Sequence, residues 1–163
     1  LFLNSKIRVL NEDKYWAKVE LYNNKIGFIL KNNINNKNKF EENWIELAKK
    51  FIETPYLWGG KTSHGIDCSG LVQVCLQNVM PDFPRNSNEQ QFYKSNYIKD
   101  VSSIEKGCLI FWKGHVAIAI SDIEIIHSNI SHMCVKIEKL KKALKKIEKT
   151  SGKILSIRHL NIK

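Results

Sequence analysis

Residues 67–76 read DCSGLVQVCL, a polar start followed by an apolar run, and this stretch decides which fold and chemistry we expect. The apolar run predicts a buried helix, and a loop rich in Gly, Pro and Tyr precedes it at residues 54–60. Cys68 would lie in the first turn of that helix, where unpaired backbone N–H groups and the positive end of the helix dipole favour a thiolate. Because the thiolate is the nucleophilic form, the position predicts a reactive cysteine.

The chain has three further cysteines, Cys75, Cys108 and Cys134. No Cys-x-x-Cys pair occurs, which argues against a structural zinc site or a thioredoxin-like redox pair. Cys75 follows Cys68 by about two helical turns, which is too far for a disulfide. We therefore expect these three cysteines to be small, buried, apolar residues.

The composition is that of a folded, basic protein. Its 163 residues, 43% of them apolar, suffice for one ordinary domain and a small appendage. The formal net charge of +10 favours an acidic partner such as nucleic acid, anionic lipid or an anionic polymer, although solvated surface lysines are the commoner explanation. No apolar run reaches the roughly 20 residues that a transmembrane helix needs, so no such segment is expected.

The first part of the chain predicts a small all-β piece at residues 1–33. Apolar and polar residues alternate over 5–10 and 15–22, as in half-buried strands, and a turn at 23–25 leads to a further strand at 26–30. An Asn- and Lys-rich linker follows at 34–39.

The main domain is expected at residues 40–163. Asn38, with Glu41 three residues later, predicts the cap of a helix that ends at Pro55. The Cys68 helix is expected to end near Met80, before a polar loop at 84–91. Strands are then predicted at 108–112, 115–120, 123–127, 133–137 and 154–160, with an amphipathic helix at 138–149. Helices followed by an antiparallel set of strands indicate an α+β fold.

Two histidines are candidates for the base that a thiol nucleophile needs. His115 begins an apolar strand and His127 ends the next one. If Ser121-Asp122 turns the chain back as a hairpin, the two rings lie on neighbouring strands. Cys68, His115 and His127 would then be nucleophile, base and orienting group.

Several motifs in chain order resemble the NlpC-type cell-wall peptidase family. They are TPYLWGG at 54–60, GIDCSGLV at 65–72, Pro84-Arg85 with Ser87 and Gln90, GHVAI at 114–118 and IHS at 126–128. The resemblance covers about residues 40–160. It implies a papain-like core with rearranged topology that hydrolyses murein stem peptides. It also implies that the N-terminal β piece is a bacterial SH3-like domain, incomplete at its N-terminus.

The resemblance implies a role for each matching residue. Cys68 would be the nucleophile that forms a thioester acyl-enzyme, His115 the base and later the acid, and His127 the orienting residue. Tyr56 would help the Cys68 backbone N–H bind the oxyanion.

The same resemblance implies how the substrate is held. Asp67 would bind the free amino group of L-alanine in a stem cut between γ-D-glutamate and the diamino acid, in a pocket lined by Ser69, Trp58 and Ser87. Asp67 could equally be only the helix cap, and Trp58 only core.

Peptidoglycan stem peptides or muropeptides are thus the expected partners of a monomeric enzyme, with no nucleic acid, cofactor or metal ion. The chain begins at Leu1 without a leader, so we expect further sequence upstream. The compartment stays open between the cell envelope, periplasmic or secreted, and the cytoplasm for a recycling enzyme.

Three alternatives remain from the sequence. The first is a thiol amidase or acyltransferase acting on another amide, since such cores share the Cys-His geometry. The second is a non-catalytic module that binds the cell wall through its positive charge. The third is a zinc site built from Cys68, His115 and His127, for which no fourth ligand is evident.

One residue departs from the family pattern. Cys108 stands where relatives usually carry an acidic residue. A thiol cannot accept hydrogen bonds as a carboxylate does, so the turn before it is expected to be held differently. Cys108 could also lie near Cys68, where oxidation would inhibit the enzyme.

Overall fold

The computed structural model describes residues 1–34, 43–160 and 162. The chain divides into two compact units, residues 1–41 and 42–163. The predicted linker, apart from Ile34, and the predicted Asn38 cap with Glu41 lie outside the described residues. In the described part of the chain, no helix is long and apolar enough to cross a membrane.

The first unit contains a three-stranded antiparallel sheet. Its strands are β1 Arg8–Glu12, β2 Trp16–Glu20 and β3 Ile26–Leu30, in the order β1-β2-β3. Ala17 and Val19 alternate with exposed neighbours and are buried, as the period of two predicts. The sheet is the small all-β piece expected here, and its SH3-like assignment stays a prediction.

In its described residues, the second unit combines four α-helices with a six-stranded antiparallel sheet, which confirms the α+β prediction. The helices are α1 Trp44–Lys49, α2 Cys68–Leu76, α3 Ser87–Gln90 and α4 Leu140–Ser151. A two-stranded hairpin, β4 Lys61–Thr62 and β5 Gly65–Ile66, precedes α2. The large sheet contains β6 Ser95–Ile98, β7 Cys108–Trp112, β8 His115–Ala119, β9 Glu124–Asn129, β10 Cys134–Lys139 and β11 Ser156–Leu160. Their order across the sheet is β10-β9-β8-β7-β11-β6.

The large sheet is covered on both faces. Alternate residues such as Leu109, Ile118 and Ile126 pack with α1 and α2 in one hydrophobic cluster. The residues between them, such as Ile110 and Ile125, pack with α4 in a second cluster. Because strand side chains alternate between faces, a strand buried on both sides is apolar throughout, as β7 is.

Helix α2 lies deep in the first cluster because it is apolar on nearly every side. Eight of its nine residues are buried. Asp67 caps it, since its side-chain Oδ1 accepts a hydrogen bond of 2.7 Å from the backbone N–H of Gly70. The predicted helix start is therefore confirmed, and it places Cys68 at the N-terminal end of α2.

Several predicted boundaries are wrong. The first helix begins at Trp44 under an Asn43 cap and ends at Lys49, well before Pro55. The Cys68 helix ends at Leu76, not near Met80. The polar loop contains the short helix α3, and β6, a partly exposed edge strand, was not predicted. Glu138, expected in the amphipathic helix, belongs instead to β10.

The cysteine predictions are partly corrected. Cys75 and Cys108 are buried, as expected, but Cys134 is partly exposed, and its Sγ lies 3.8 Å from Glu53 Oε2. Cys108 belongs to the second hydrophobic cluster, which contains α4. Cys68 belongs to the first cluster, which contains α1 and α2, on the opposite face of the sheet. The expectation that Cys108 lies near Cys68 is therefore wrong, because the strand's alternation turns its side chain away.

The core of the second unit can be tested with a matched pair of isoleucines. Ile126 is fully buried, whereas Ile123 is 56% exposed at the adjacent turn. We expect Ile126→Ala to lower the free energy of unfolding by about 2–5 kcal/mol, because it leaves a cavity. Ile123→Ala should change it by less than about 0.5 kcal/mol. Urea unfolding followed by circular dichroism measures both, and equal effects would contradict this packing.

Candidate active site

Cys68 is the first residue of α2 and is 7% exposed. Burial raises the pKa of its thiol, and the Asp67 charge adds to this, while hydrogen bonds from the backbone N–H groups of Val116, Ser69 and Cys68 itself act in the opposite direction. The expectation that the helix start alone favours a thiolate is therefore wrong, because desolvation of the charge outweighs the helix terminus. In the resting site Cys68 is a neutral thiol that needs a base.

The two predicted histidines are in direct contact. His115 is the first residue of β8 and His127 lies in β9, its antiparallel neighbour. His115 Nε2 lies 2.9 Å from His127 Nδ1, and the two rings meet edge to face. The predicted hairpin is confirmed. Since His115 uses Nε2 towards His127, its Nδ1 is the nitrogen left for a proton from a thiol.

Both imidazoles are neutral near pH 7. Burial, followed by the neighbouring His127, lowers the pKa of His115 to about 3. Burial also lowers the pKa of His127, although its hydrogen bond to Glu138 opposes the shift. A neutral ring can accept a proton, so His115 fits the role of base in the resting state.

Glu138 extends this chain of groups, and sequence reasoning missed it. Its Oε2 lies 2.9 Å from His127 Nε2, the ring nitrogen that faces away from His115. No sequence pattern gives the register of the two strands, in which Lys136 is paired directly with His127. Continuing that strand to Glu138 places this side chain on the same face, diagonal to His127.

Tyr56 lines a cavity together with Cys68 and the two histidines. Burial raises the pKa of its hydroxyl, and the charges of Cys68 and Asp67 add to this shift, so the group stays protonated and can donate a hydrogen bond. Tyr56, Cys68, His115, His127 and Glu138 line a cavity of about 380 Å³, which we call the Glu138 cavity. The structure thus brings all four residues predicted to be catalytic to one space.

The residues predicted to bind substrate gather on the other side of Cys68. Asp67, Ser69, Trp58 and Ser87 line, together with Cys68 and Arg85, a larger cavity of about 620 Å³, which we call the Arg85 cavity. Trp58 is 78% exposed and borders both cavities, so the alternative that it is only a core residue is wrong.

Asp67 is more heavily engaged than a helix cap alone requires. Its two oxygens accept hydrogen bonds from the backbone N–H groups of Gly70 and Gly59 and from both terminal nitrogens of Arg85, at 2.7–2.9 Å. Arg85 also donates to Ser69 Oγ at 2.9 Å. A bidentate pair of this kind is geometrically specific, so it fixes the two loops around the start of α2.

A metal site receives no support from the described ranges 1–34, 43–160 and 162. They contain no group of three or more His, Cys, Asp or Glu side chains that could hold a metal ion.

Residues 53–152 match the NlpC/P60 family, and this range contains the Cys68, His115 and His127 positions. The chain therefore belongs to the NlpC/P60 family, which confirms the resemblance.

Two curated relatives cover most of the chain. It is 31% identical over 126 residues to dipeptidyl-peptidase 6 of Lysinibacillus sphaericus, covering 71% of this chain and 45% of that protein. It is 30% identical over 149 residues to the gamma-D-glutamyl-L-lysine dipeptidyl-peptidase of Bacillus cereus, covering 82% of this chain and 44% of that protein. The chain thus spans less than half the length of either relative.

Solved structures share the fold. An NlpC/P60 family protein from Bacillus cereus superposes with a TM-score of 0.79 at 24% identity, over 98% of this chain and 55% of that one. The NlpC/p60 domain of the peptidoglycan hydrolase SagA is 32% identical, with a TM-score of 0.55 over 61% of this chain and 88% of that domain. The papain-like fold class expected from the motifs is therefore confirmed.

The importance of Asp67 can be compared with that of an ordinary helix cap. Asn43 caps α1 through a hydrogen bond of 3.2 Å to the Glu46 backbone N–H. We expect Asn43→Ala to cost about 1 kcal/mol of unfolding free energy. Asp67→Ala should cost about 3 kcal/mol, because it also leaves the partly buried Arg85 guanidinium without its partner. Urea denaturation measures both, and equal losses would show that the Arg85 pair adds nothing.

The lowered pKa of His115 makes stability depend on pH. A histidine in the unfolded chain titrates near 6.5, whereas folded His115 titrates at about 3. Between these values the unfolded state binds the extra proton, so the free energy of unfolding should fall as pH is lowered, by up to about 1.4 kcal/mol per unit from this group. His115→Asn should make the fall shallower in urea titrations between pH 4 and 7. Parallel curves for the two proteins would contradict the buried neutral ring.

Proposed function

We propose that this chain is a cysteine endopeptidase that hydrolyses peptidoglycan stem peptides at the γ-D-glutamyl–diamino acid bond. The observation that carries the proposal is the placement of Cys68, at the start of α2, in one cavity with the hydrogen-bonded pair His115–His127. Membership of the NlpC/P60 family and the chain's similarity to two dipeptidyl-peptidases support the same chemistry.

In the proposed reaction, His115 takes the Cys68 proton as the sulfur attacks the γ-glutamyl carbonyl carbon. The oxyanion forms beside the Cys68 backbone N–H and the Tyr56 hydroxyl, which donate hydrogen bonds to it. The C–N bond then breaks, and the departing amine receives the proton from His115. Water attacks the remaining thioester and His115 takes its proton. His115 then returns this proton to the sulfur as the C–S bond breaks, which releases the carboxylic acid and restores the thiol.

The Arg85 cavity is proposed to hold the acyl side of the substrate. Asp67, Ser69, Trp58 and Ser87 line it beside the nucleophile. Because the relatives are named as dipeptidyl-peptidases, we propose that the stem carries a free N-terminal L-alanine and that Asp67 receives its amino group. Each oxygen of Asp67 already accepts at least two hydrogen bonds, so we propose that the amine replaces one of the two that Arg85 donates.

The domain boundaries are part of the proposal. We propose that residues 40–163 form the peptidase domain and that residues 1–33 form a separate SH3-like piece. The family match at residues 53–152 lies within the proposed peptidase domain and supports this division.

The test compares Cys68→Ala with the unchanged protein on L-Ala-γ-D-Glu-L-Lys and on the corresponding diaminopimelate peptide, with products identified by mass spectrometry. We expect Cys68→Ala to lower the rate by at least about a thousandfold, because the nucleophile is removed. Cys75→Ala is the matched control, since Cys75 is a buried thiol of the same helix and faces neither cavity. It should retain activity. Cleavage by Cys68→Ala at the normal rate, or none by the unchanged protein, would refute the assignment.

The same assay tests the free N-terminus. Acetylation of the L-alanine amino group should abolish cleavage if Asp67 receives that amine. Equal cleavage of free and acetylated peptides would leave a general stem-peptide endopeptidase and remove the specificity proposed for Asp67.

A further inference from the structure

Glu138 lies in a cluster of charged and titratable groups at the back of the site. Its side chain is only 8% exposed. It meets His127 from β9 at 2.9 Å, His132 from the turn between β9 and β10 at 3.4 Å, and Lys146 from α4 at 3.6 Å. Burial would raise the pKa of Glu138, but the hydrogen bond from His127 and the positive charge of Lys146 outweigh it and leave the pKa lowered. Glu138 is therefore a carboxylate.

The carboxylate determines which nitrogen of His127 carries the proton. An ionised carboxylate can only accept hydrogen bonds, so the 2.9 Å contact requires the proton on His127 Nε2. A neutral His127 then has a lone pair on Nδ1, and the 2.9 Å contact at that atom requires the proton of His115 on its Nε2. The lone pair of His115 is left on Nδ1, the nitrogen available to the thiol.

We propose that Glu138 is a positioning residue that fixes the tautomers of both histidines and so prepares His115 to accept the Cys68 proton. The inference rests on the proposed function, since it concerns the base of that reaction. Glu138 touches neither the nucleophile nor the substrate in this scheme, and it acts through His127.

Asn129 competes with Glu138 for a hydrogen bond at His127 Nε2. Its Nδ2 lies 3.0 Å from His127 Nε2, and its orientation is fixed because its Oδ1 accepts a hydrogen bond from the His132 backbone N–H. If that amide donated to His127, the ring's lone pair would face the Glu138 carboxylate at 2.9 Å. Two electron-rich atoms at this distance repel, so the charged acceptor decides the tautomer over the neutral donor.

The direct test is the ring ¹⁵N spectrum of the histidines, because ¹⁵N shifts distinguish the protonated nitrogen of each imidazole and do not depend on turnover. In the unchanged protein we expect His127 and His115 both to carry their protons on Nε2. Protonation of His127 on Nδ1 would overturn the proposal.

Glu138→Gln should reverse the tautomers without changing the size of the side chain. Lys146 can only donate, so it favours the amide oxygen at its own end, and the amide nitrogen is then turned towards His127 Nε2. His127 would carry its proton on Nδ1, and His115 would present an N–H to the thiol. Glu138→Ala, which removes acceptor and donor together, should give a mixture of both tautomers.

The matched control is Glu124→Gln. Glu124 lies on the same strand pair and is paired with Lys139 at 2.9 Å, but it has no contact with either ring among the hydrogen bonds of the described residues. Its spectrum and activity should match those of the unchanged protein. If Glu138→Gln and Glu138→Ala both leave the His115 and His127 shifts unchanged, the proposal is wrong, whatever happens to the activity.

Activity supplies a second, separate measurement. With the stem-peptide substrate, Glu138→Gln should lower kcat by about two to four orders of magnitude, as expected when a base is held in the wrong tautomer. Alkylation of Cys68 at neutral pH should slow in parallel. If the peptide proves not to be a substrate, the spectra and the alkylation rates still decide the role of Glu138, so the two proposals fail independently.

Discussion

The Asp67 carboxylate is the contact on which the rest of the site depends. It joins three parts of the chain that are separate in sequence: the first turn of α2 through Gly70, the preceding loop through Gly59, and the loop before α3 through Arg85. Gly70 allows this approach, because a Cβ there would collide with the Gly60 carbonyl oxygen. Together these contacts hold Cys68 at a fixed point between two cavities.

The sheet provides the second half of the site by a different means. Antiparallel pairing of β8, β9 and β10 places His115, His127 and Glu138 on adjoining strands, and the alternation of side chains keeps them off the α2 core. In the proposed reaction the helix terminus supplies the nucleophile and His115 the base, while His127 and Glu138 lie behind His115 in a row across the strands. Each part is rigid because its backbone is held by regular hydrogen bonds.

The sequence was most informative where pattern and position agreed. Asp67 before an apolar run predicted the capped helix, and two apolar strands separated by Ser121-Asp122 predicted the contact of His115 with His127. Prediction from the sequence failed where burial or tertiary contacts determine a protonation state or the end of an element. The thiol's protonation follows from desolvation, which no local pattern shows. The Lys-rich run after Glu138 looked helical throughout, yet pairing with β9 extends β10 through Lys139 and turns Glu138 to the site.

The two carboxylates of the site, Asp67 and Glu138, are each paired with a cation. Asp67 raises the pKa of Cys68, but its own charge is shared with Arg85. The charge of Glu138 is likewise shared with Lys146. His127 and His115 lie between Glu138 and the sulfur. Since burial disfavours both the thiolate and the imidazolium, the resting pair is neutral. In the proposed reaction the ion pair becomes favourable only as the sulfur attacks, when the negative charge passes to the oxyanion and the positive charge on His115 lies in line with the Glu138 carboxylate. In that proposed reaction, the fold restricts reactivity to the moment at which a carbonyl is in place.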